Sequence, residues 1–99
     1  MTNKENRLVV LIEWAGVTKE LYEKARKEVW DGDVLPKGAI LHIATFDEKG
    51  IIIIDIWENE EDFNNFVQKR LLPVTDKLID TKPKIEILPL YALFLRNKE

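Results

Sequence analysis

The stretch Gly38–Val67, with the sequence GAILHIATFDEKGIIIIDIWENEEDFNNFV, decides the fold of this chain. Its apolar runs predict a strand over Ala39–Phe46, a tight turn, and a second strand over Ile51–Trp57. The turn DEKG begins with Asp and ends with Gly, as a type I turn prefers. Asn59 then caps a helix, and Asp62, three residues later, forms a capping-box-like pair with it. The stretch therefore predicts strand, turn, strand and helix in that order.

Similar elements flank this stretch on both sides. An alternating apolar pattern predicts an earlier strand, and an apolar stripe at helical spacing after the N-cap Thr18 predicts an earlier helix. Downstream, we expect Pro73 to interrupt the second helix, and Pro89 to kink the chain after a last strand. The predicted bounds are Arg7–Trp14 and Lys84–Leu88 for the strands, Lys19–Trp30 and Val74–Ile79 for the helical segments, and Leu90–Leu95 for a kinked continuation of the last strand.

The order strand, helix, strand, strand, helix, strand indicates the fold class. Short connections and right-handed crossovers favour an α+β, ferredoxin-like βαββαβ sandwich, with a four-stranded antiparallel sheet and helices on one face. The chain has 99 residues, so we expect one domain over residues 1–99.

Composition excludes several classes of function. The net charge of −3 comes without a basic stripe, so we expect no nucleic-acid partner. The apolar runs are too short to span a bilayer and no signal-peptide pattern is present, so we expect no membrane partner. The chain has no cysteine, which excludes disulfides and thiolate metal sites and fits a cytoplasmic location.

Alternation along the central hairpin assigns side chains to the two faces of the sheet. Ile52, Ile54 and Ile56 form a purely aliphatic set, so we expect them, with Leu41 and Ile43, to face the helices. The opposite, uncovered face would then carry Ile40, His42, Ala44, Phe46, Ile51, Ile53, Asp55 and Trp57.

The register of the hairpin decides whether His42 meets Asp55. Pairing Phe46 with Ile51 places the two directly opposite each other, with Cβ atoms about 5 Å apart. A type I turn with a glycine bulge would slip the register by one residue and place His42 opposite Ile56. We favour the first register, because the slip would bury an ionisable group among aliphatic side chains at a cost of several kcal/mol.

An apolar sheet face without helices predicts a homodimer, in which two open faces enclose a cavity. Within it, His42 and Asp55 are the candidate catalytic residues: His42 as a general base and Asp55 to orient it, or both as a merely structural pair. Glu13 could complete a metal set with them, but the three come from separate strands and we expect no metal site. The candidate ligand-binding residues are Glu13, Ile40, Ala44, Ile53, Trp57 and Tyr91.

The residues Gly38–Pro73 resemble small proteins of the dimeric α+β barrel superfamily, most closely its antibiotic biosynthesis monooxygenase-like (ABM-like) group. Relatives share a Gly, a His four residues later, a Gly-ended hairpin, and then D-x-W-x-S-x-E with Phe. The corresponding residues here are Gly38, His42, Gly50, Asp55, Trp57, Asn59, Glu61 and Phe63. The chain departs from the pattern at Asn59, where relatives have Ser, and at Tyr91-Ala92, where relatives have His-Asn.

The resemblance implies a homodimer with one ligand cavity per subunit. Some members of the superfamily are cofactor-independent oxygenases that act on electron-rich aromatic substrates; others degrade haem, isomerise lactones or dismutate chlorite. The Asn–Trp–His set of the haem degraders is incomplete here, so we expect no cofactor. Two functions remain: a cofactor-independent monooxygenase or isomerase that acts on an aromatic or enolisable small molecule, and a non-catalytic module that binds a small hydrophobe or serves only as a dimeric structure.

Overall fold

In the computed structural model, residues 6–30, 32 and 34–96 are described, and they form one four-stranded sheet with helices against it. The elements in these residues are β1 (Leu8–Ala15), α1 (Lys19–Val29), β2 (Ala39–Phe46), β3 (Gly50–Trp57), α2 (Glu60–Phe66), a π-helical turn (Val67–Leu71), α3 (Leu72–Leu78) and β4 (Lys84–Pro89). The strand order is β2-β3-β1-β4 and all pairs are antiparallel. The predicted α+β, ferredoxin-like fold is confirmed.

The β2–β3 hairpin has the register that the hydrophobic pattern favoured. Phe46 pairs with Ile51 and His42 pairs with Asp55, so the slipped alternative is wrong. The carboxylate of Asp47 accepts hydrogen bonds from the backbone N–H groups of Lys49 (2.8 Å) and Gly50 (3.1 Å) and closes the turn. These bonds stabilise the carboxylate and hold the pKa of Asp47 below its usual value.

The two faces of the β2–β3 hairpin are reversed relative to the prediction, whereas Glu13 of β1 lies on the uncovered face as expected. Val10, Trp14, Ile51 and Trp57 are at most 6% exposed and form the core between sheet and helices. Strand alternation therefore places His42 and Asp55 under the helices too. Two tryptophans fill more of the space between sheet and helix than isoleucines would, and hydrogen bonds offset the burial of the carboxylate.

The second helical segment continues through Pro73, contrary to the predicted interruption. The chain widens into the π-helical turn, in which the Leu72 N–H donates to the Val67 carbonyl five residues back, and α3 follows without a gap. Pro73 lies just after this wider turn, so its missing N–H falls where the regular i→i−4 bonding is already interrupted. The predicted caps are confirmed, with Thr18 accepting from the Leu21 N–H and Asn59 from the Asp62 N–H.

The C-terminal segment does not continue the last strand. Pro89 ends β4, and the Leu90 N–H makes one further bond to the Arg7 carbonyl (2.9 Å). Residues 90–96 have no regular secondary structure, so the predicted kinked strand over Leu90–Leu95 is wrong. Tyr91 and Phe94 are 100% and 90% exposed. None of the helices described is long and apolar enough to cross a membrane.

Candidate active site

A cavity of about 70 Å³ lies between the sheet and the helices of a single chain. Its walls are mainly aromatic and aliphatic side chains from both layers. The polar side chains among them are Tyr22, Arg26, His42, Asp55 and Thr75. An apolar cavity with a few converging polar groups is the usual character of a small-molecule site.

His42 and Asp55 form the polar centre of this cavity. The His42 Nδ1 lies 2.7 Å from the Asp55 Oδ1, and their side chains are 15% and 10% exposed. The second carboxylate oxygen accepts a bond from the Trp57 indole N–H at 3.3 Å. Because a carboxylate only accepts, the proton in the first bond belongs to Nδ1. Asp55 therefore fixes both the orientation and the tautomer of the imidazole.

Tyr22, on α1, completes the network from the helix side. Its hydroxyl lies 2.7 Å from the His42 Nε2. Burial raises the pKa of Tyr22 above its usual value of 10.0, although the nearby Arg26 guanidinium opposes this shift. The phenol thus keeps its proton near neutral pH and donates it to Nε2. The resulting chain of hydrogen bonds, Tyr22–His42–Asp55, is called the relay below; it has the order donor, base, carboxylate seen in hydrolase triads.

The raised pKa of Tyr22 makes a prediction about alkaline pH. In Tyr91→Phe, where Tyr22 is the only tyrosine left, we expect the tyrosinate absorbance near 295 nm to appear with a midpoint above 10.0. Folding favours the neutral phenol, so this contribution to stability is complete below pH 10.0 and is lost as the pH rises through the folded-state pKa. Tyr22→Phe should remove both effects. A midpoint at or below 10.0 would contradict the burial of the Tyr22 hydroxyl.

Trp30 and Arg26 form the wall next to the relay. The Trp30 ring stands edge-on to the imidazole, with centroids 5.1 Å apart. The Arg26 guanidinium lies 6.0 Å from the Trp30 ring centroid, and it donates to the Glu23 carboxylate and to the Gly32 carbonyl. Arg26 is thus held by its neighbours at the end of α1.

The predicted site residues fall into two groups. The cavity is lined by His42, Asp55, Ile53 and Trp57, but not by Ala44, which packs against the core next to it. The others lie apart: Ile40 is in the bulge between Ala39 and Leu41, Tyr91 is fully exposed, and Glu13 is exposed on the opposite face of the sheet. Consequently, Glu13 does not join His42 and Asp55 in a metal set; within the described ranges no three such side chains gather as metal ligands.

Three polar residues of the cavity, Tyr22, Thr75 and Arg26, escaped the sequence analysis as site residues, and nothing in the sequence marked Arg26. Tyr22 belongs to the apolar stripe of α1 and is expected there as a packing residue. Thr75 is 2% exposed and follows Phe63, Val67 and Leu71 at steps of four residues along the second helical segment. A hydroxyl within each apolar stripe was the available signal, because such positions normally carry aliphatic side chains.

The arrangement is suited to moving a proton. A ligand oxygen or carbon that gives a proton to the Tyr22 oxygen lets the phenol pass its own proton to Nε2, while Asp55 stabilises the imidazolium that forms. The apolar walls keep water away, which strengthens each of these electrostatic interactions.

Sequence comparisons identify no family and no relative: no protein-family model matches the chain, and no curated protein matches it. Solved structures match its fold. One is a mutant of SnoaB, a cofactor-independent oxygenase from Streptomyces nogalater. The match covers 92% of this chain and 99% of the SnoaB chain, with a TM-score of 0.66 and 9% sequence identity. NE2512, a protein of unknown function from Nitrosomonas europaea, covers 97% and 100%, with a TM-score of 0.67 and 16% identity.

A third structure, of a Bacteroides thetaiotaomicron protein of unknown function described as a possible oxidoreductase, covers 85% of this chain and 95% of its own, with a TM-score of 0.54 and 18% identity. At these identities the similarity concerns the fold. The resemblance to the ABM-like group is confirmed at that level.

Proposed function

We propose that this protein is an enzyme that removes a proton from a small enolisable or aromatic molecule held between its sheet and its helices. The observation that carries the proposal is the relay, whose two hydrogen bonds are both 2.7 Å long and lie at an apolar cavity. A network that served packing alone would be surrounded by closely packed side chains, whereas this one borders the cavity.

The proton transfer can lead to two reactions. Returning the proton to another carbon isomerises the substrate. Alternatively, the carbanion reacts with dioxygen: a CH₂ group becomes a carbonyl, one oxygen atom enters the product and the other leaves as water. The substrate then supplies all the electrons, so neither a metal nor a reductant is needed. SnoaB, which shares the fold, is a cofactor-independent oxygenase, and this supports the second reaction.

Deuterium exchange tests the first step without assuming the second. The protein is incubated in D₂O with hydroxyacetone, 2,4-pentanedione, catechol or hydroquinone, and loss of C–H signal is followed by NMR while an electrode records dioxygen uptake. We expect exchange with at least one probe, and a reduction of roughly 10²- to 10⁴-fold in His42→Ala. Glu48→Gln, in the exposed β2–β3 turn, is the control. No exchange in the wild type, or equal exchange in His42→Ala, would disprove the proposal.

A second candidate is a non-catalytic module that binds a small hydrophobe. It is favoured by one fact: both nitrogens of His42 already have partners within the chain, so the network is satisfied without a ligand. Ligand-observed NMR on the same probes distinguishes the two functions. Binding without exchange would favour the module.

We further propose a homodimer through the open sheet face, defined as the face away from the helices. Its aliphatic side chains lie in adjoining rows, and Ile43 and Leu88 are 47% and 42% exposed. The full set is Val9, Leu11, Leu41, Ile43, Ile52, Ile54 and Leu88, next to the buried Ile56. A contiguous apolar face of this kind marks an interaction surface. The dimer would not enclose the imidazole, because His42 lies under its own helices.

A charge in the middle of the open sheet face should separate the subunits. Ile54 lies on the central strand β3 between Leu11 and Ile43. We expect the wild type to sediment as a dimer and Ile54→Lys as a folded monomer, since a buried, unpaired ammonium opposes association. Gln68→Lys, exposed on the π-helical turn, is the control and should remain dimeric. A monomeric wild type would rule out the interface.

A further inference from the structure

The hydroxyl of Thr75 is the one polar group in the cavity wall that is buried without a hydrogen-bond partner, within the part of the chain that the structure describes. Thr75 is 2% exposed. Elsewhere in the wall, the relay and the Trp57 indole bond to one another, and Arg26 is held by Glu23 and Gly32. A buried hydroxyl without a partner destabilises the folded protein.

The shape of this position would suit valine. Val has nearly the volume and branching of Thr, and the residues one turn before and after Thr75 in the stripe, Leu71 and Ile79, are aliphatic and also line the cavity. A threonine in a helix can bond the carbonyl four residues back, but the Thr75 hydroxyl does not do so. The hydroxyl therefore contributes nothing to packing that a methyl group would not, and its donor has no partner within the protein.

The size of the cavity limits that ligand. A volume of about 70 Å³ is roughly half of the ~150 Å³ cavity that holds a benzene. This space suits a molecule of several non-hydrogen atoms better than one with an aromatic ring. The relay and Thr75 both border this space.

We propose that Thr75 binds the carbonyl oxygen of a small enolisable ketone or aldehyde, and that such compounds, rather than phenols, are the substrate class. The inference rests on the proposed function. The Thr75 hydroxyl donates to the carbonyl oxygen. When the neighbouring C–H bond breaks, its proton goes to the Tyr22 oxygen, the phenol proton goes to the His42 Nε2, and the electron pair becomes the enolate, whose oxygen carries the negative charge. Thr75 is then an oxyanion donor placed where charge develops.

Two substitutions of Thr75, with hydroxyacetone as the probe, test this role. Thr75→Val removes the hydroxyl and keeps the shape; Thr75→Ser keeps the hydroxyl and loses the methyl group. We expect kcat/KM for deuterium exchange to fall about 10- to 100-fold in Thr75→Val, mostly in kcat because the bond strengthens on the enolate, and to stay within about threefold in Thr75→Ser. Without ligand, Thr75→Val should unfold several degrees above the wild type, since it removes an unpaired buried group.

The outcomes separate this inference from the proposed function. Wild-type exchange with an unchanged rate in Thr75→Val would overturn the role of Thr75 and leave the relay standing. A lower unfolding temperature in Thr75→Val would also overturn it, because the hydroxyl would then be paired within the protein. If the wild type shows no exchange, the proposed function fails, and an NMR titration with hydroxyacetone then tests the role of Thr75 by itself. Binding to the wild type but not to Thr75→Val would support that role. Equal behaviour of the two proteins would overturn it.

Discussion

Asp55→Asn should lower the rate of proton abstraction roughly a thousand-fold while leaving the protein folded and nearly as stable as the wild type. The reason is the number of acceptors. Asp55 accepts from two donors, the His42 Nδ1–H and the Trp57 indole N–H, one at each oxygen. An asparagine has one acceptor oxygen and a donor NH₂ group in place of the other.

The least costly arrangement turns the amide oxygen to Trp57 and the NH₂ group to His42. Nδ1 must then accept, so the imidazole proton moves to Nε2, which donates to Tyr22 instead of accepting from it. Every hydrogen bond in the buried network is kept, but the base is in the wrong tautomer. The free energy of unfolding should therefore change by no more than about 1 kcal/mol.

Three measurements check this prediction together. Exchange kinetics give the rate, urea unfolding gives the stability, and ¹⁵N shifts of the single histidine report which nitrogen carries the proton. Glu48→Gln removes the same charge in the exposed turn and should change none of them. A variant that loses rate and stability in parallel would show that Asp55 acts on the fold and not on the tautomer.

Trp57→Ala should reduce the free energy of unfolding by about 3–5 kcal/mol, the largest stability effect expected for one side chain. Trp57 is 1% exposed, and its ring lies 5.4 Å from that of Phe63 and 5.3 Å from that of Phe66, both on α2. It thus joins the sheet to the second helical segment. Its removal also leaves one Asp55 oxygen without a donor.

Urea unfolding followed by far-ultraviolet circular dichroism measures this loss without depending on tryptophan fluorescence. Trp57→Phe should cost less, because a ring remains against α2. Trp30→Ala, at the partly exposed wall of the cavity, is the comparison for loss of an indole and should cost clearly less than Trp57→Ala. If Trp57→Ala lowered the free energy of unfolding by less than about 1 kcal/mol, Trp57 would not be a central residue of the core.

The element order, the sheet and the pairing of His42 with Asp55 could be predicted from the sequence because each depends on local patterns. The two strands of the hairpin are bounded by a specific turn, and the apolar runs around it fit only one register well. The same patterns gave the capping residues Thr18 and Asn59, whose side chains bond the backbone three residues on.

The choice of face could not be predicted in this way. Residues Ile51–Ile54 are apolar on both sides of β3, so alternation separates two sets without ranking them. The prediction turned Ile52, Ile54 and Ile56 towards the helices because they form a purely aliphatic set, which placed the carboxylate of Asp55 on the other face. It underestimated how completely His42 and Trp57 satisfy Asp55, and it left out Tyr22, which comes from a helix distant in sequence. Burial of a charge is decided by partners of this kind, which a single strand does not reveal.

The π-helical turn Val67–Leu71 determines which way the side chains of α3 point around the helix axis. An α-helix advances about 100° per residue, so a side-chain stripe with a step of four drifts steadily around the axis. The wider turn corrects that drift, and Phe63, Leu71, Thr75 and Ile79 all reach the same cavity. If the same residues wound as an ordinary α-helix without the wider turn, Thr75 would rotate away from the cavity by roughly 90°. The winding of this segment is thus as much a part of the cavity as the side chains that form its wall.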